Sequence, residues 1–237
     1  MPNNNQAAAL QGSAESIPLA VDAAAFLTDE GARSILEVAE RALNCGKPKV
    51  TASQFTKWYC RTHCISFLHS LSVEDMPVRA ALEDIELLFP GDPPFAINEK
   101  GAAPLPSRAS ASRNEMRDAA LHSLFAGNFS LVFNALIRLT GIRSDILWDN
   151  AAVYIHHFYR TWMEEASDDG RMRIIKEDYD YITQTAEAAL FGDEYTVNPL
   201  FGSCAPFRNT CCLRVQIPGA NKCKGCPLTE RTGRIPT

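Results

Sequence analysis

The stretch Leu147-Trp148-Asp-Asn-Ala151-Ala152-Val-Tyr-Ile155-His-His-Phe158-Tyr159-Arg-Thr-Trp162 decides the fold class. Its large apolar residues return every three or four positions, the period of one face of an α-helix. Adjacent His156 and His157 must then point in different directions, one toward the interior and one toward solvent. The aromatic row Trp148, Tyr159 and Trp162 belongs to the core.

The same spacing extends outward in both directions. Upstream, Phe129 to Leu139 is a nearly continuous apolar run, short enough to be a buried helix. Met116, Ala119, Ala120, Leu124 and Phe125 mark the helix before it. A first helix is expected from near Asp22 to Leu43, stopping at Cys45-Gly46-Lys47-Pro48. A second opens at Thr51-Ala-Ser-Gln54, read as a capping box, and runs through Phe55, Trp58, Tyr59, Ile65, Leu68 and Leu71. Val78 to Phe89 reads as a shorter helix, and Asp178 to Leu190 as the last. Strand-like alternation is scarce and no hairpin turn stands out, so the expected body is mostly α. Residues 90–112, with Pro90, Pro93, Pro94, Pro104 and Pro106, are expected to form a long loop inside it.

The expected organisation is a flexible lead over residues 1–17, a helical body over 18–198 and a cysteine-rich segment over 199–237. The 237 residues carry a net charge of −5, with 46% hydrophobic content, normal for a globular chain. From Phe201 onward there are six bases and one acid, so a basic tail follows an acidic body. The acidic balance and the lack of a basic recognition helix argue against nucleic-acid binding. No run approaches the roughly 20 apolar residues of a membrane span, and Met1 to Ser16 lacks an apolar signal core. These features predict a cytoplasmic protein. There the eight cysteines point to metal or redox chemistry before disulfides.

Five of the cysteines fall between Cys204 and Cys226, and four form Cys-Cys-x10-Cys-x2-Cys: Cys211, Cys212, Cys223 and Cys226. Four thiolates complete either a tetrahedral zinc site or a two-iron cluster. The knuckle Cys223-Lys-Gly-Cys226 suits both. The adjacent pair Cys211-Cys212 favours the cluster, because neighbouring side chains diverge and chelating one small ion with both demands a strained turn. Arg208, Arg214, Lys222 and Lys224 flank these cysteines. They are candidates for stabilising a reduced cluster or attracting a partner, with solvated loop charges as the alternative. Cys204 is spare, and Cys60, His63 and Cys64 share an already apolar helix, where packing is the expected role. Cys45 has no evident partner. The chain has no Gly-x-Gly-x-x-Gly fingerprint, so dinucleotide binding by that route is not expected.

The segment from Pro199-Leu-Phe201 through Arg208-Asn-Thr-Cys-Cys-Leu-Arg214 to Cys223-Lys-Gly-Cys-Pro-Leu228 resembles the bacterial ferric-siderophore reductases with a C-terminal two-iron two-sulfur domain. Gly127-Asn128 and Leu147-Trp-Asp-Asn150 carry a fainter likeness. The resemblance implies that Cys211, Cys212, Cys223 and Cys226 ligate a [2Fe-2S] cluster. It also implies one-electron reduction of Fe(III) held by a siderophore, usually of hydroxamate type, in the cytoplasm. Electrons would come from a separate carrier such as a ferredoxin or flavodoxin. The alternative from another class is a non-catalytic iron–sulfur sensor or a zinc-stabilised interaction protein.

Overall fold

A computed structural model describes residues 19–89, 96–99, 105, 112–203, 208–223 and 225–230. The expected lead over 1–17, Cys204 and Lys224 lie outside these residues. The fold is mostly helical, as the apolar spacing predicts. Helix α1 (Asp29–Leu43) starts where the Thr28 hydroxyl accepts from the Gly31 N–H, and ends at Asn44 in the left-handed region. α2 (Pro48–His63) runs into a π turn (Cys64–Leu68) and the short α3 (His69–Ser72). α4 (Arg113–Leu124), a second π turn (Phe125–Ser130) and α5 (Leu131–Thr140) form one apolar rod. α6 (Ser144–Glu164) and α7 (Asp169–Asp180) complete the body, and α8 (Pro227–Glu230) is a single turn near the end.

Several boundaries differ from expectation. The first helix begins at Asp29 rather than near Asp22, because Ala23–Leu27 form a 3-10 turn, and the last begins at Asp169 rather than Asp178. α2 starts at Pro48, not at a Thr51 capping box: proline's fixed φ suits the first helical turn, and the Thr51 hydroxyl donates to the Lys47 carbonyl. The Gln54 side chain is thereby free for another task, described below. The last helix, expected to run to Leu190, breaks after a π turn (Tyr181–Thr185) at Ala186, which is extended.

The expected helix Val78–Phe89 is a correction. Residues Ile85–Phe89 form strand β2 at the centre of an antiparallel sheet, with β1 (Leu19–Asp22) on one side and β3 (Ala96–Glu99) on the other. Glu86, Leu87 and Leu88 do not mark a strand by themselves, and β2 gains one of its two partners from 70 residues upstream, where Leu19 faces Phe89. Tertiary pairing overrides local propensity here. β3 also means that the proline-rich stretch is not a loop throughout.

α2 and α6 lie against one another in the core, with Phe55, Tyr59, Ala151 and Ile155 fully buried. The aromatic row is core, as expected: Trp148, Tyr159 and Trp162 are all buried, and of the histidine pair His156 is buried and His157 exposed. The 28-residue rod Arg113–Thr140 is long and apolar enough to cross a membrane, and 61% of its most apolar window is buried inside the fold. Asp178, with no exposed surface, receives both terminal nitrogens of Arg113 (2.9 and 2.8 Å) and the Ser72 hydroxyl (2.8 Å). This buried cluster ties α7 to α4 and α3.

His63 gives the body a pH dependence. Its Nδ1 lies 2.8 Å from the Tyr59 carbonyl, so it must carry the proton, and Nε2 then accepts from the Asn128 amide at 3.3 Å. A second ring proton would face that amide N–H2. Burial accordingly pushes the His63 pKa down to about 4, against the opposing carbonyl bond. Because the folded value lies below the unfolded one, unfolding takes up a proton between about pH 6.5 and 4. Stability from this group is complete above that window and falls on acidification, by on the order of 3 kcal/mol in total. Denaturant unfolding of wild type and His63→Asn should therefore differ in slope by about one proton across this range. Identical slopes would exclude His63 as the source.

Candidate metal centre

α2 and α6 present a row of buried polar side chains to the chain end. Ser53 Oγ donates to the Cys212 carbonyl at 2.9 Å, and Gln54 Nε2 donates to the same oxygen at 2.6 Å. Ser53 in turn accepts from Asn150 Nδ2 at its carbonyl (3.0 Å) and hydroxyl (3.2 Å). Asp149, next to Asn150 on α6, accepts from the N–H groups of Asn209 (3.3 Å) and Thr210 (3.0 Å) and from the Thr210 hydroxyl (2.8 Å). These bonds take up the backbone groups just before Cys211 and at Cys212, so the cysteine pair starts from a fixed base.

Arg208 is the keystone. It is 5% exposed, donates Nη2 to Asn150 Oδ1, and sets Nε 3.6 Å from Asp149 Oδ2, with no hydrogen bond at Nε. Its own backbone N–H reaches the Gly225 carbonyl at 3.4 Å, joining the first half of the loop to the second. The alternative of a solvated loop charge is therefore wrong for Arg208. Arg214 is exposed and donates Nε to the Asn221 carbonyl (3.2 Å), closing the excursion between the two cysteine pairs; Lys222 is exposed.

Cys212 Sγ and Cys223 Sγ lie 3.4 Å apart. A tetrahedral metal with thiolate bonds of about 2.3 Å holds two sulfurs roughly 3.7 Å apart, so this pair has the spacing of two ligands to one ion. Cys226 is buried and Cys211 half-buried in the same loop. Among the described residues no three of His, Cys, Asp or Glu converge on a single point. The residue after the pair, Leu213, has φ +61°, a region costly for a branched side chain. Gly225, at φ +67°, supplies the knuckle before Cys226.

A cation that the sequence reading did not single out faces these sulfurs. Lys57, one helical turn beyond Ser53, places Nζ 4.0 Å from Cys212 Sγ. Burial lowers its pKa, against the attraction of Cys212. Burial also raises the Cys212 thiol, yet Lys57, the Arg214 N–H, Arg208 and Cys223 together hold it below the usual thiol range. Cys223 is pushed up to about 11 by burial and by the neighbouring Cys212. The polar residues Ser53, Gln54 and Lys57 at i, i+1 and i+4, sharing one side of a helix whose other residues include the core-facing Phe55 and Tyr59, were the available signal. Cys60 and Cys64 are fully buried, their thiols driven up by burial, and behave as packing residues.

Replacing Lys57 by Met should lower the potential of a cluster on this loop. The reduced state carries one more negative charge and loses a nearby cation. A drop on the order of 60 mV, the tenfold step of a one-electron couple, is expected by redox titration. An unchanged potential would mean that Lys57 points away from the cluster.

The family described as ferric iron reductase FhuF-like transporter matches residues 53–217, and the FhuF 2Fe-2S C-terminal domain matches residues 208–228. The first match begins at Ser53, so it takes in the α2 and α6 residues that seat the loop; the second spans Arg208 and all four clustered cysteines. Comparison with curated proteins brings out no match. With more than half its length matched, a mostly helical body and its terminal cysteines gathered on α2 and α6, this chain belongs to the FhuF-like ferric iron reductases and carries their [2Fe-2S] C-terminal domain.

Proposed function

We propose that this protein reduces Fe(III) bound by a hydroxamate-type siderophore, one electron at a time, with a [2Fe-2S] cluster held by Cys211, Cys212, Cys223 and Cys226. The observation that carries the reading is the coincidence of the reductase match with the seated loop of four cysteines. Siderophores offer hard oxygen ligands, which hold Fe(III) far better than Fe(II), so a single electron releases the metal and spares the chelator. The cluster supplies that electron. The chain's own residues do the rest: Ser53, Gln54, Asp149 and Asn150 fix the loop, and Lys57 and Arg208 offset the charge of its thiolates. Residues 199–237 act as the cluster segment on the body formed by 18–198.

The electron comes from a separate carrier such as a ferredoxin or flavodoxin in the cytoplasm, where Arg214, Lys222 and Lys224 attract its acidic surface. With a reduced flavodoxin as donor and a strong Fe(II) trap, Fe(II) release from ferric trihydroxamate should depend on the protein and saturate with the complex. Protein-independent release would contradict the proposal.

A further inference from the structure

We infer that the separate electron carrier docks where the start of α2, the turn between α5 and α6 and the 3-10 turn Arg214–Gln216 meet, its acidic surface held by Lys47 and Lys49. The inference rests on the reductase reading above, which calls for such a carrier, and names the face that receives it.

Position is the first argument. A cavity of about 390 Å³ opens on this face, and Leu213, the residue after Cys212, forms part of its wall. Lys47 Nζ reaches Gln216 Oε1 at 3.4 Å, so α2 and the loop present one surface. One helical turn beyond Lys49, Ser53 holds the Cys212 carbonyl. A carrier seated against Leu213 therefore stands one residue from a cysteine whose backbone is already fixed.

Charge is the second. Lys47 and Lys49 are exposed, and among the described residues neither enters an ion pair or meets a carboxylate in the cavity wall. Arg143, also in the wall, adds no net charge, because its Nε donates to Asp145 at 3.0 Å. Exposed Arg214 and Lys222 lie on the same loop, and Lys57 stands behind it, 4.0 Å from Cys212 Sγ. Positive charge thus continues from the surface inward to the sulfur. The chain as a whole carries −5. An acidic partner is repelled by most of this molecule and drawn to one face, the arrangement that orients an encounter. A second copy of the chain is a poor occupant, since a two-fold contact would set these lysines against themselves.

The centre of the face is the third. Ile146 and Leu213 are half-buried at the cavity, and Val215 beside them is 38% exposed. A small apolar centre inside a charged rim suits the weak, rapid contacts of redox proteins.

Oxidised, cluster-loaded protein is mixed with flavodoxin hydroquinone in a stopped-flow cell. One electron leaves the anionic hydroquinone, giving the neutral semiquinone, and one cluster iron passes from ferric to ferrous; no proton moves. The double change Lys47→Glu with Lys49→Glu should slow the second-order rate at least about tenfold at low salt. The difference should close as salt screens the attraction. Glutamate suits the first turn of a helix, so α2 is kept, and an unchanged visible spectrum will show an intact cluster loop. Reduced methyl viologen, a cation, should reduce the variant no more slowly than the parent. The same charge change at Arg160 and Arg173, near the end of α6 and on α7, should leave the flavodoxin rate within about twofold.

An unslowed Lys47→Glu, Lys49→Glu variant, or equal slowing by the Arg160 and Arg173 pair, would overturn the face. A parent that sediments as a dimer, split by the change at Lys47 and Lys49, would give the face to a second copy and overturn it too. Fe(II) release is read separately, from viologen-reduced parent mixed with ferric trihydroxamate and an Fe(II) trap. If Fe(II) is released while the face fails, the reductase reading stands. If the face holds and no Fe(II) is released, the reductase reading falls and the face remains an entry for electrons.

Discussion

Serine at Cys211, Cys212, Cys223 or Cys226, one at a time, is expected to remove the visible absorption of the purified protein and its reduced-state paramagnetic signal. A hydroxyl is a much poorer ligand to iron than a thiolate, and each loss leaves a four-ligand centre one short. Alanine at Cys60 or Cys64 should leave the absorption in place, because those thiols are fully buried in the core and held protonated by burial. These core changes lower stability by about 1 kcal/mol or more, as small cavities do. Iron and sulfide should assay at about two each per chain in the parent. Loss of the cluster from Cys60→Ala or Cys64→Ala, with folding intact, would mean that the ligand set is wrong.

Asp149→Ala is expected to release the loop. It leaves the Arg208 guanidinium buried without its carboxylate, and strands the N–H groups of Asn209 and Thr210. Breaking one side of a buried charge pair costs about 3–5 kcal/mol. Most of that should appear as poor cluster retention, because the groups set free belong to the loop, while Phe55, Tyr59 and Ile155 still pack α2 on α6. Iron content after gel filtration should fall severely, with the helical circular dichroism nearly preserved. Arg208→Ala should do the same, and the double change should cost less than the two singles combined, since each single strands the other partner. Additive losses, or full iron retention in Asp149→Ala, would show that the pair does not seat the loop.

The helical class was legible because the apolar spacing of α5, α6 and the α2 core is strong enough to survive single-residue exceptions. The cysteine-rich segment stood out by its spacing, which left zinc and a two-iron cluster both open; the family resemblance is what pointed to the cluster. Strand β2 was not, since Glu86, Leu87 and Leu88 suit a helix as well and its partner β1 lies 70 residues upstream at Leu19–Phe89. Arg208 was grouped in the sequence reading with three other charges of the tail. What separates it from Arg214 and Lys222 is burial against α6, and burial is a tertiary property. Gln54 was assigned to a helix cap because its distance from Thr51 fits one; in the fold it holds the Cys212 carbonyl instead. Lys57 was hidden for a related reason: a lysine on a helix reads as solvent-facing until a loop from about 155 residues away covers it.

The central claim is that one electron passes from the loop-bound cluster to chelated Fe(III). Chemically reduced protein, mixed anaerobically with excess ferric trihydroxamate and a strong Fe(II) trap in a stopped-flow cell, tests it most directly. Cluster absorption and Fe(II) trap colour are followed together. The account predicts that they rise at the same rate, with one Fe(II) formed per cluster reoxidised, as a one-electron centre requires. Fe(II) appearing while the cluster stays reduced, or a cluster that reoxidises without yielding Fe(II), would contradict it.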